Sequence, residues 1–379
     1  MVWAMLCLAV CMLGVGISAG AEQPQPITFD VPGADAVWSP VCYSAFLGFL
    51  GCGTTPLANN DLGVVVGTYS HTYPNTNNVM RGFLRTPDGH IIPFDAPGAG
   101  LENGQGTAAY AINNLGVIAG TFQDSRGVYH GFLRYPNGRF ATFGAPDQGT
   151  DAGEGTLATN INLKGMTAGT YIDEYGVNHG FVRFPRNEFR SFDPPGSVFT
   201  YPCEETCLSP NGTVTGFFED ATNTYHGFVR APDGNITTID APYAATGSGL
   251  GTIAASINPE GLITGYSLDS NGVAHVFVRF LDGSFATYQD PDASTAAGEG
   301  TAAFAINLFG AVTGEFNDGY TVMHGFERLP DGSFANFDAL GAGAGVWQGT
   351  RPSTNNSKGQ VAGWYVDANG VNHGFVWNP

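Results

Sequence analysis

The sequence predicts an all-β protein: a seven-bladed β-propeller with four-stranded blades, closed by an N-terminal strand that completes the last blade. Two observations lead to this prediction. One motif recurs seven times, and a second sevenfold motif is shifted out of phase with the first. Internal repeats are weighed first because they decide the architecture of the whole chain. The 55 glycines, the 12% of charged residues and the absence of a sustained 3.6-residue apolar period favour strands over helices.

The first motif is a His-Gly-Phe triplet. Counted from Phe83, its copies are separated by 49, 49, 47, 49, 49 and 49 residues. A turn glycine and a second glycine four residues later precede every copy, as Gly116 and Gly120 do, and an asparagine such as Asn113 begins six of the seven turns. Repeats of this length indicate one supersecondary unit each. The triplets begin at Arg81, His130, His179, His226, His275, His324 and His373, with Val276 replacing glycine in one copy.

The second motif, Thr-Phe-Asp-Ala-Pro, is also sevenfold. Its first copy, residues 28–32, precedes any complete repeat, and the last repeat stops at residues 377–379 without a copy of its own. One repeat is therefore divided between the two termini. An open solenoid has no use for this division, whereas a ring uses the N-terminal strand to complete its last blade. Closure also leaves few exposed sheet edges.

Each repeat contains four predicted strands, for example residues 107–113, 117–123, 129–135 and 140–146, joined by short turns rich in Asn, Asp and Gly. The first strand carries small residues and is placed nearest the axis, whereas the later strands carry Phe and are placed outward. The predicted blades span about 54–97, 107–146, 156–194, 203–242, 252–291, 301–339 and 350–379 plus 27–32.

The first 21 residues predict a signal peptide, because residues 1–19 are apolar and uncharged and an Ala-Gly-Ala sequence follows. A transmembrane anchor is the alternative. Residues 22–379 are then a single propeller domain in a secreted protein, extracellular or periplasmic. Four cysteines remain, and an even number in a secreted chain favours disulfides. Their spacing favours the pairs Cys42–Cys52 and Cys203–Cys207.

The alternation of His-Gly-Phe-Leu-Arg with Asn-x-x-Gly-x-x-x-Gly resembles the extracellular HAF-repeat family, in which His-Ala-Phe-Leu-Trp alternates with Ile-Asn-x-x-Gly-x-Val-Val-Gly. The likeness covers the whole mature chain. This sequence departs from the family in having Gly for Ala and mostly Arg for Trp. The resemblance implies secretion and a repeat fold, but it implies no catalytic residue.

The six motif histidines invite a metal-binding interpretation. Equivalent positions of neighbouring blades should lie on the order of 10 Å apart, since strands are about 4.8 Å apart, whereas zinc ligands must nearly touch. We therefore expect each ring nitrogen to bond nearby backbone. The aspartates of the second motif and of the Asp-x-x-Gly turns are expected to cap turns.

Function is expected where the repeat is broken, on the connections between blades. The predicted ligand-binding residues are Trp347, Arg351, Gln348, Glu102, Gln105, Glu154, Tyr201, Glu204 and Glu299. We interpret the protein as a monomeric binding or scaffold module for a carbohydrate or another extracellular polymer or protein partner, with no cofactor. A carbohydrate-active hydrolase or lyase, a purely structural role and calcium in the acidic loops are retained as alternatives. The net charge of −19 disfavours nucleic acid.

Overall fold

A computed structural model describes residues 24–38, 51–72, 78–202 and 206–379. These ranges contain 28 β-strands and no helix, which confirms the all-β prediction. The strands are β1 (Ile27–Phe29), β2 (Thr54–Asn59), β3 (Val65–Thr72), β4 (Asn78–Arg85), β5 (Ile91–Phe94), β6 (Gly106–Ile112), β7 (Ile118–Gln123), β8 (Tyr129–Arg134), β9 (Phe140–Phe143), β10 (Gly155–Ile161), β11 (Thr167–Ile172), β12 (Asn178–Arg183), β13 (Phe189–Phe192), β14 (Ser197–Pro202), β15 (Val214–Asp220), β16 (Tyr225–Arg230), β17 (Ile236–Ile239), β18 (Gly251–Ile257), β19 (Ile263–Leu268), β20 (Ala274–Arg279), β21 (Phe285–Tyr288), β22 (Thr301–Ile306), β23 (Val312–Asn317), β24 (Met323–Arg328), β25 (Phe334–Phe337), β26 (Gly349–Asn355), β27 (Val361–Val366) and β28 (Asn372–Trp377).

Consecutive strands pair antiparallel in runs of four, which we call modules 1 to 7. Modules 1 to 6 are β2–β5, β6–β9, β10–β13, β14–β17, β18–β21 and β22–β25. Module 7 is β26–β28 completed by β1, in which Ile27 lies opposite Val376 and Phe29 opposite Gly374. Its first three strands come from the C-terminal end of the chain and its fourth from residues 27–29.

The two sequence motifs meet across the middle of each module. The second glycine of the turn motif on the second strand lies directly opposite the motif phenylalanine on the third, as Gly120 does opposite Phe132. A Cβ on Gly120 would lie 2.5 Å from the Phe132 ring and 2.2 Å from the carbonyl oxygen of Ala108, so only glycine fits. All seven of these phenylalanines are fully buried: Phe83, Phe132, Phe181, Phe228, Phe277, Phe326 and Phe375.

The Asn-x-x-Gly turns link the modules to one another. In module 2 the Asn113 side-chain oxygen accepts the N–H groups of Leu115 and Val117, and its amide donates to the carbonyl of Asn162 in module 3, 3.1 Å away. Six such amide bonds join the turns of all seven modules, including one from Asn356 of module 7 to Asn60 of module 1. The six donors are Asn60, Asn113, Asn162, Asn258, Asn307 and Asn356.

First strands of neighbouring modules contact each other at β2–β6, β6–β10, β18–β22, β22–β26 and β26–β2, and we call the surface that they form the central surface. Parallel pairs also join successive modules, as between Met80 and Gly106 or between Asn372 and Gly53. Module 4 is irregular. Only four residues separate β13 from β14, against 11 or 12 in the connections that follow modules 1, 2, 4, 5 and 6, so the first strand of module 4 begins at Ser197 and not at the predicted residue 203.

The predicted signal peptide lies outside the described residues. A search of the described part of the chain finds no helix that is long and apolar enough to cross a membrane.

Candidate functional site

One register position on the central surface divides the seven modules into two groups. It consists of the second-strand residue that directly follows the second glycine of the turn motif, together with the first-strand residue opposite it. In modules 1 to 3 the second-strand residue is always threonine: Thr68, Thr121 and Thr170. These hydroxyls bond the backbone of the next module, as when Thr170 donates to the carbonyl of Thr200 at 3.2 Å. In this half the position therefore serves to hold modules together.

In modules 4 to 7 the second-strand residue at this register position is an aromatic residue or a glutamate. The opposing pairs are Tyr201 with Phe217, Ile253 with Tyr266, Ala302 with Glu315, and Arg351 with Trp364. Most of these side chains are partly exposed, whereas the three threonines are fully buried. We call these eight residues, together with Phe304, the half-ring. Its rings contact one another across modules, since the centroids of Tyr266 and Phe304 are 6.4 Å apart.

Charge enters the half-ring at one place only among the described residues. Arg351 donates from Nε to Glu315 Oε2 at 2.8 Å and from Nη2 to Oε1 at 3.1 Å. Its guanidinium carbon also lies 5.5 Å from the centre of the Trp364 ring. The Arg351 and Glu315 side chains are 27% and 11% exposed, so the pair is sheltered but still reaches solvent. An ion pair on an aromatic ring offers both hydrogen-bond donors and acceptors beside a flat apolar face.

We call the segments that join the fourth strand of one module to the first strand of the next, taken together, the connection face. Trp347 lies there with φ of 60°, in the left-handed region, and is 58% exposed. Four other connections have glycine at this position, at φ of 74° to 90°: Gly104, Gly153, Gly249 and Gly298. A non-glycine residue in this conformation costs roughly 1–2 kcal/mol. A large exposed ring therefore replaces glycine where the backbone favours glycine.

Three other predicted ligand-binding residues are engaged by their own connections. Gln105 accepts the N–H of Glu102, Glu154 accepts that of Asp151, and Gln348 accepts that of Gly345, at 2.8 to 3.1 Å. All three directly precede the glycine that begins a first strand. They therefore form a recurrent structural position, which the sequence reading had treated as a departure from the repeat.

Glu299 occupies this same position in module 6, but its carboxylate binds a residue outside its own connection. Its Oε1 accepts the hydroxyl of Thr321 at 2.8 Å, and its buried Oε2 has no hydrogen-bond partner. Thr321 in turn accepts the backbone N–H of Trp347 at 3.0 Å. Glu299 and Trp347, predicted from two different connections, are thus brought together through Thr321.

The remaining predicted residues are dispersed. The Glu102 side chain is exposed in its connection, and Tyr201 belongs to the half-ring, 5.5 Å from Phe217 between ring centroids. Glu204, Cys42 and Cys203 lie outside the described residues. Cys52 and Cys207 are both fully buried, and the pairings Cys42–Cys52 and Cys203–Cys207 stay predictions.

The motif histidines do not bond backbone carbonyls as expected; carboxylates bind them instead. His179 lies between Asp193, 2.7 Å from Nδ1, and Asp173, 3.4 Å from Nε2, and its ring stacks on Tyr171. His226, His324 and His373 repeat this arrangement. The two aspartates come from the end of the fourth strand and from the turn before the third. The motif aspartates therefore do more than cap turns.

These clamps shift the acidity of both partners. Hydrogen bonds from the backbone and side chain of Thr224 and Thr222 lower the pKa of Asp220 to about 2. The hydrogen bond to Asp338 raises the pKa of His324, although burial acts in the opposite direction. No group of three or more His, Cys, Asp or Glu side chains within the described ranges is arranged to hold a metal ion.

Solved structures share this fold at low sequence identity. Puromycin hydrolase matches with a TM-score of 0.54 and 13% identity over 90% of this chain and 54% of its own, so this chain spans about half its length. The BP39L lectin from Burkholderia pseudomallei matches at 0.51 and 12% over 86% of this chain and 96% of the lectin. The β-propeller domain of the Trilobed protease from Pyrococcus furiosus matches at 0.49 and 9%, over 86% and 94%. No family model and no curated protein matches the chain.

Proposed function

We propose that this chain is a secreted, seven-bladed β-propeller that binds a carbohydrate or another extracellular polymer through the half-ring and the adjoining connection face. The seven modules are its blades, and β1 closes the ring. The Asn356 amide bond to Asn60 and the contact of β26 with β2 support closure, because both join module 7 to module 1. The resemblance to the extracellular HAF-repeat family is consistent with this proposal.

The observation that carries the binding proposal is the unequal division of one register position. Threonines that join modules occupy it in modules 1 to 3, whereas aromatic rings and one ion pair occupy it in modules 4 to 7. Packing alone needs no such division, because a second-strand threonine already satisfies it in three modules. Large partly exposed residues gathered on one side of a repeat scaffold are typical of a binding surface.

A saccharide fits the chemistry of the half-ring. The C–H face of a sugar ring is apolar and flat enough to lie on an aromatic ring such as Trp364. Sugar hydroxyls both donate and accept hydrogen bonds, so they pair with the Glu315 carboxylate and the Arg351 guanidinium at once. The net charge of −19 disfavours polyanionic ligands, which makes a neutral or amino-containing polymer the better match.

For Glu315 and Glu154, binding is favoured over hydrolysis because their carboxylates are already engaged. Glu315 is tied to Arg351 by two hydrogen bonds, and Glu154 accepts the backbone of its own connection. Neither is poised as a general acid or nucleophile, which a glycoside hydrolase needs in a facing pair.

The test is a glycan array probed with the wild-type protein, followed by calorimetric titration of each positive oligosaccharide. Arg351→Ala and Trp347→Ala should each weaken binding by roughly tenfold or more, as removal of a central charged or aromatic contact commonly does. Tyr175→Ala is the matched control, because Tyr175 is an 80% exposed aromatic in the turn between β11 and β12. Unchanged affinity in both test variants would contradict the proposal.

A further inference from the structure

The three residues of β1 themselves make few interactions with the rest of the molecule. β1 has three residues, paired with Val376, Phe375 and Gly374 of β28. Phe29 lies 6.1 Å from Phe83 between ring centroids, and the Trp377 indole donates to the carbonyl of Pro24 at 2.5 Å. Ile27 is 57% exposed. The residues that follow β1 are held by further contacts: Val31 is buried and its N–H donates to Thr54 Oγ1 at 3.0 Å, and His71 Nδ1 lies 2.6 Å from the carbonyl oxygen of Gly33. A strong contact at residues 27–30 therefore acts most directly on β1 itself.

One such contact is an ionisable pair between the two ends of the chain. Nδ1 of His373 lies 3.0 Å from Oδ1 and 3.1 Å from Oδ2 of Asp30. Nε2 of the same ring lies 3.6 Å from Asp367, in the turn that leads into β28. The imidazole stacks on Tyr365 with centroids 4.9 Å apart, which fixes its orientation between the two carboxylates.

We propose that the Asp30–His373 pair is a pH-sensitive latch that sets how firmly the N-terminal strand is held on module 7. With a protonated imidazole, both nitrogens donate to carboxylates, and the strand is tied to β28 by a charge-assisted bond. When the imidazole is neutral, only one nitrogen carries a proton, so one of the two carboxylates loses its donor.

The direction of the pH effect follows from the groups around the imidazole. The charged groups that face it are Asp30 from β1 and Asp367 from module 7, and they raise the pKa of His373, against the opposing effect of burial. Burial also raises the pKa of Tyr365, so its phenol stays neutral. A histidine whose folded-state pKa lies above 6.5 stabilises most fully below pH about 6.5, and this stabilisation is lost as the pH rises through the folded-state value.

Module 3 supplies an internal control. His179 has the same kind of surroundings: Asp193 lies 2.7 Å from Nδ1, Asp173 lies 3.4 Å from Nε2, and Tyr171 is stacked on the ring. Every member of this second clamp comes from the continuous segment 171–193, which is distant in sequence from both ends of the chain. Only the His373 clamp joins segments from opposite ends of the chain.

The experiment is hydrogen exchange of the peptide covering residues 24–38, followed by mass spectrometry at about pH 5.5 and about pH 8.5 and corrected for intrinsic exchange rates. The wild type should lose protection in this peptide by roughly tenfold between the two pH values, as loss of one charge-assisted hydrogen bond would produce. His373→Gln should show low protection at both. Asp30→Asn is a second variant that leaves the histidine in place and should behave in the same way.

His179→Gln should retain the wild-type pH dependence in residues 24–38. Three results would each overturn the latch: equal wild-type protection at both pH values, a full pH response in both His373→Gln and Asp30→Asn, or loss of the response in His179→Gln. None of these measurements involves a ligand, so the latch and the proposed binding function are tested independently.

Discussion

Arg351 on the first strand of module 7 and Glu315 on the second strand of module 6 form an ion pair with two hydrogen bonds. It joins neighbouring modules at the register position where modules 1 to 3 use threonine. We expect Arg351→Ala and Glu315→Ala each to destabilise the protein by about 1 kcal/mol, because both side chains are sheltered but not fully desolvated. The double variant should be no less stable than the worse single one. Thermal unfolding of all four proteins measures this coupling, and strictly additive losses would show that the pair is energetically inert.

We predict that Trp347 lowers the free energy of unfolding, because its backbone adopts a left-handed conformation. Trp347→Gly should be more stable than Trp347→Ala by about 1 kcal/mol, since only glycine adopts its left-handed conformation freely. The comparison with alanine removes the effect of the indole itself. Both variants should lose ligand binding equally. Equal melting temperatures for the glycine and alanine variants would mean that the backbone at this position is not strained.

The carboxyl group of Glu327 should make the stability of the protein depend on pH. Glu327 is only 2% exposed, at a position where the other modules have leucine or valine. Burial raises its pKa to about 7, although a hydrogen bond from Asn355 acts in the opposite direction. The folded state therefore holds this proton more tightly than the unfolded chain, and stability should fall as the pH rises from about 4.5 to about 7.

Glu327→Leu should remove this fall and raise stability near pH 8 by about 2 kcal/mol, since a buried charge is replaced by an apolar residue. Glu327→Gln is the matched variant, because it keeps the shape but does not titrate. Urea unfolding at pH 5 and at pH 8 provides the measurement. A wild-type pH slope that persists in both variants would assign the dependence to other groups.

Ser209 interrupts the series of turn asparagines. Its hydroxyl donates to the carbonyl of Thr213 at 3.2 Å within its own turn and cannot reach module 5 as an asparagine amide would. Ser209→Asn should add the missing bond to Asn258 and stabilise the protein by about 0.5–1 kcal/mol. Asn113→Ser, which creates the same interruption in module 2, should destabilise it. Calorimetric melting of both variants checks the opposite signs.

The spacing of the motifs was sufficient to predict the all-β class and the strands, because each repeat carries its own turn signals. Tertiary partners were harder to predict. The histidines were expected to bond backbone, yet their carboxylate partners lie at constant separations of 14 and 6 residues, as Asp193 and Asp173 do from His179. That regularity is visible in the sequence once the chain is aligned repeat by repeat.

The sequence predicted only some of the residues that form the half-ring. Arg351 and Tyr201 were predicted because they lie near connections, but Glu315, Tyr266 and Trp364 lie within regular second strands and carry no local motif. Their signal is the contrast with Thr68, Thr121 and Thr170 at the same repeat position. Conversely, Gln105, Glu154 and Gln348 seemed to be departures because they lie in connections, although they recur at a fixed place and bond their own backbone.

The closed ring is tested most directly by a circular permutant. With Val376 paired to Ile27, a direct link from Pro379 to Gln25 would make a turn two residues shorter than the turn between the third and fourth strands of the other modules. The permutant runs from residue 46 to 379, continues through an inserted Asp-Gly and ends with residues 25–45. Two inserted residues span at most about 10 Å, so they suffice only if the termini are adjacent. The account predicts one cooperative melting transition within a few degrees of the wild type. A permutant that fails to fold, while a version with a long flexible linker folds, would contradict closure by the N-terminal strand.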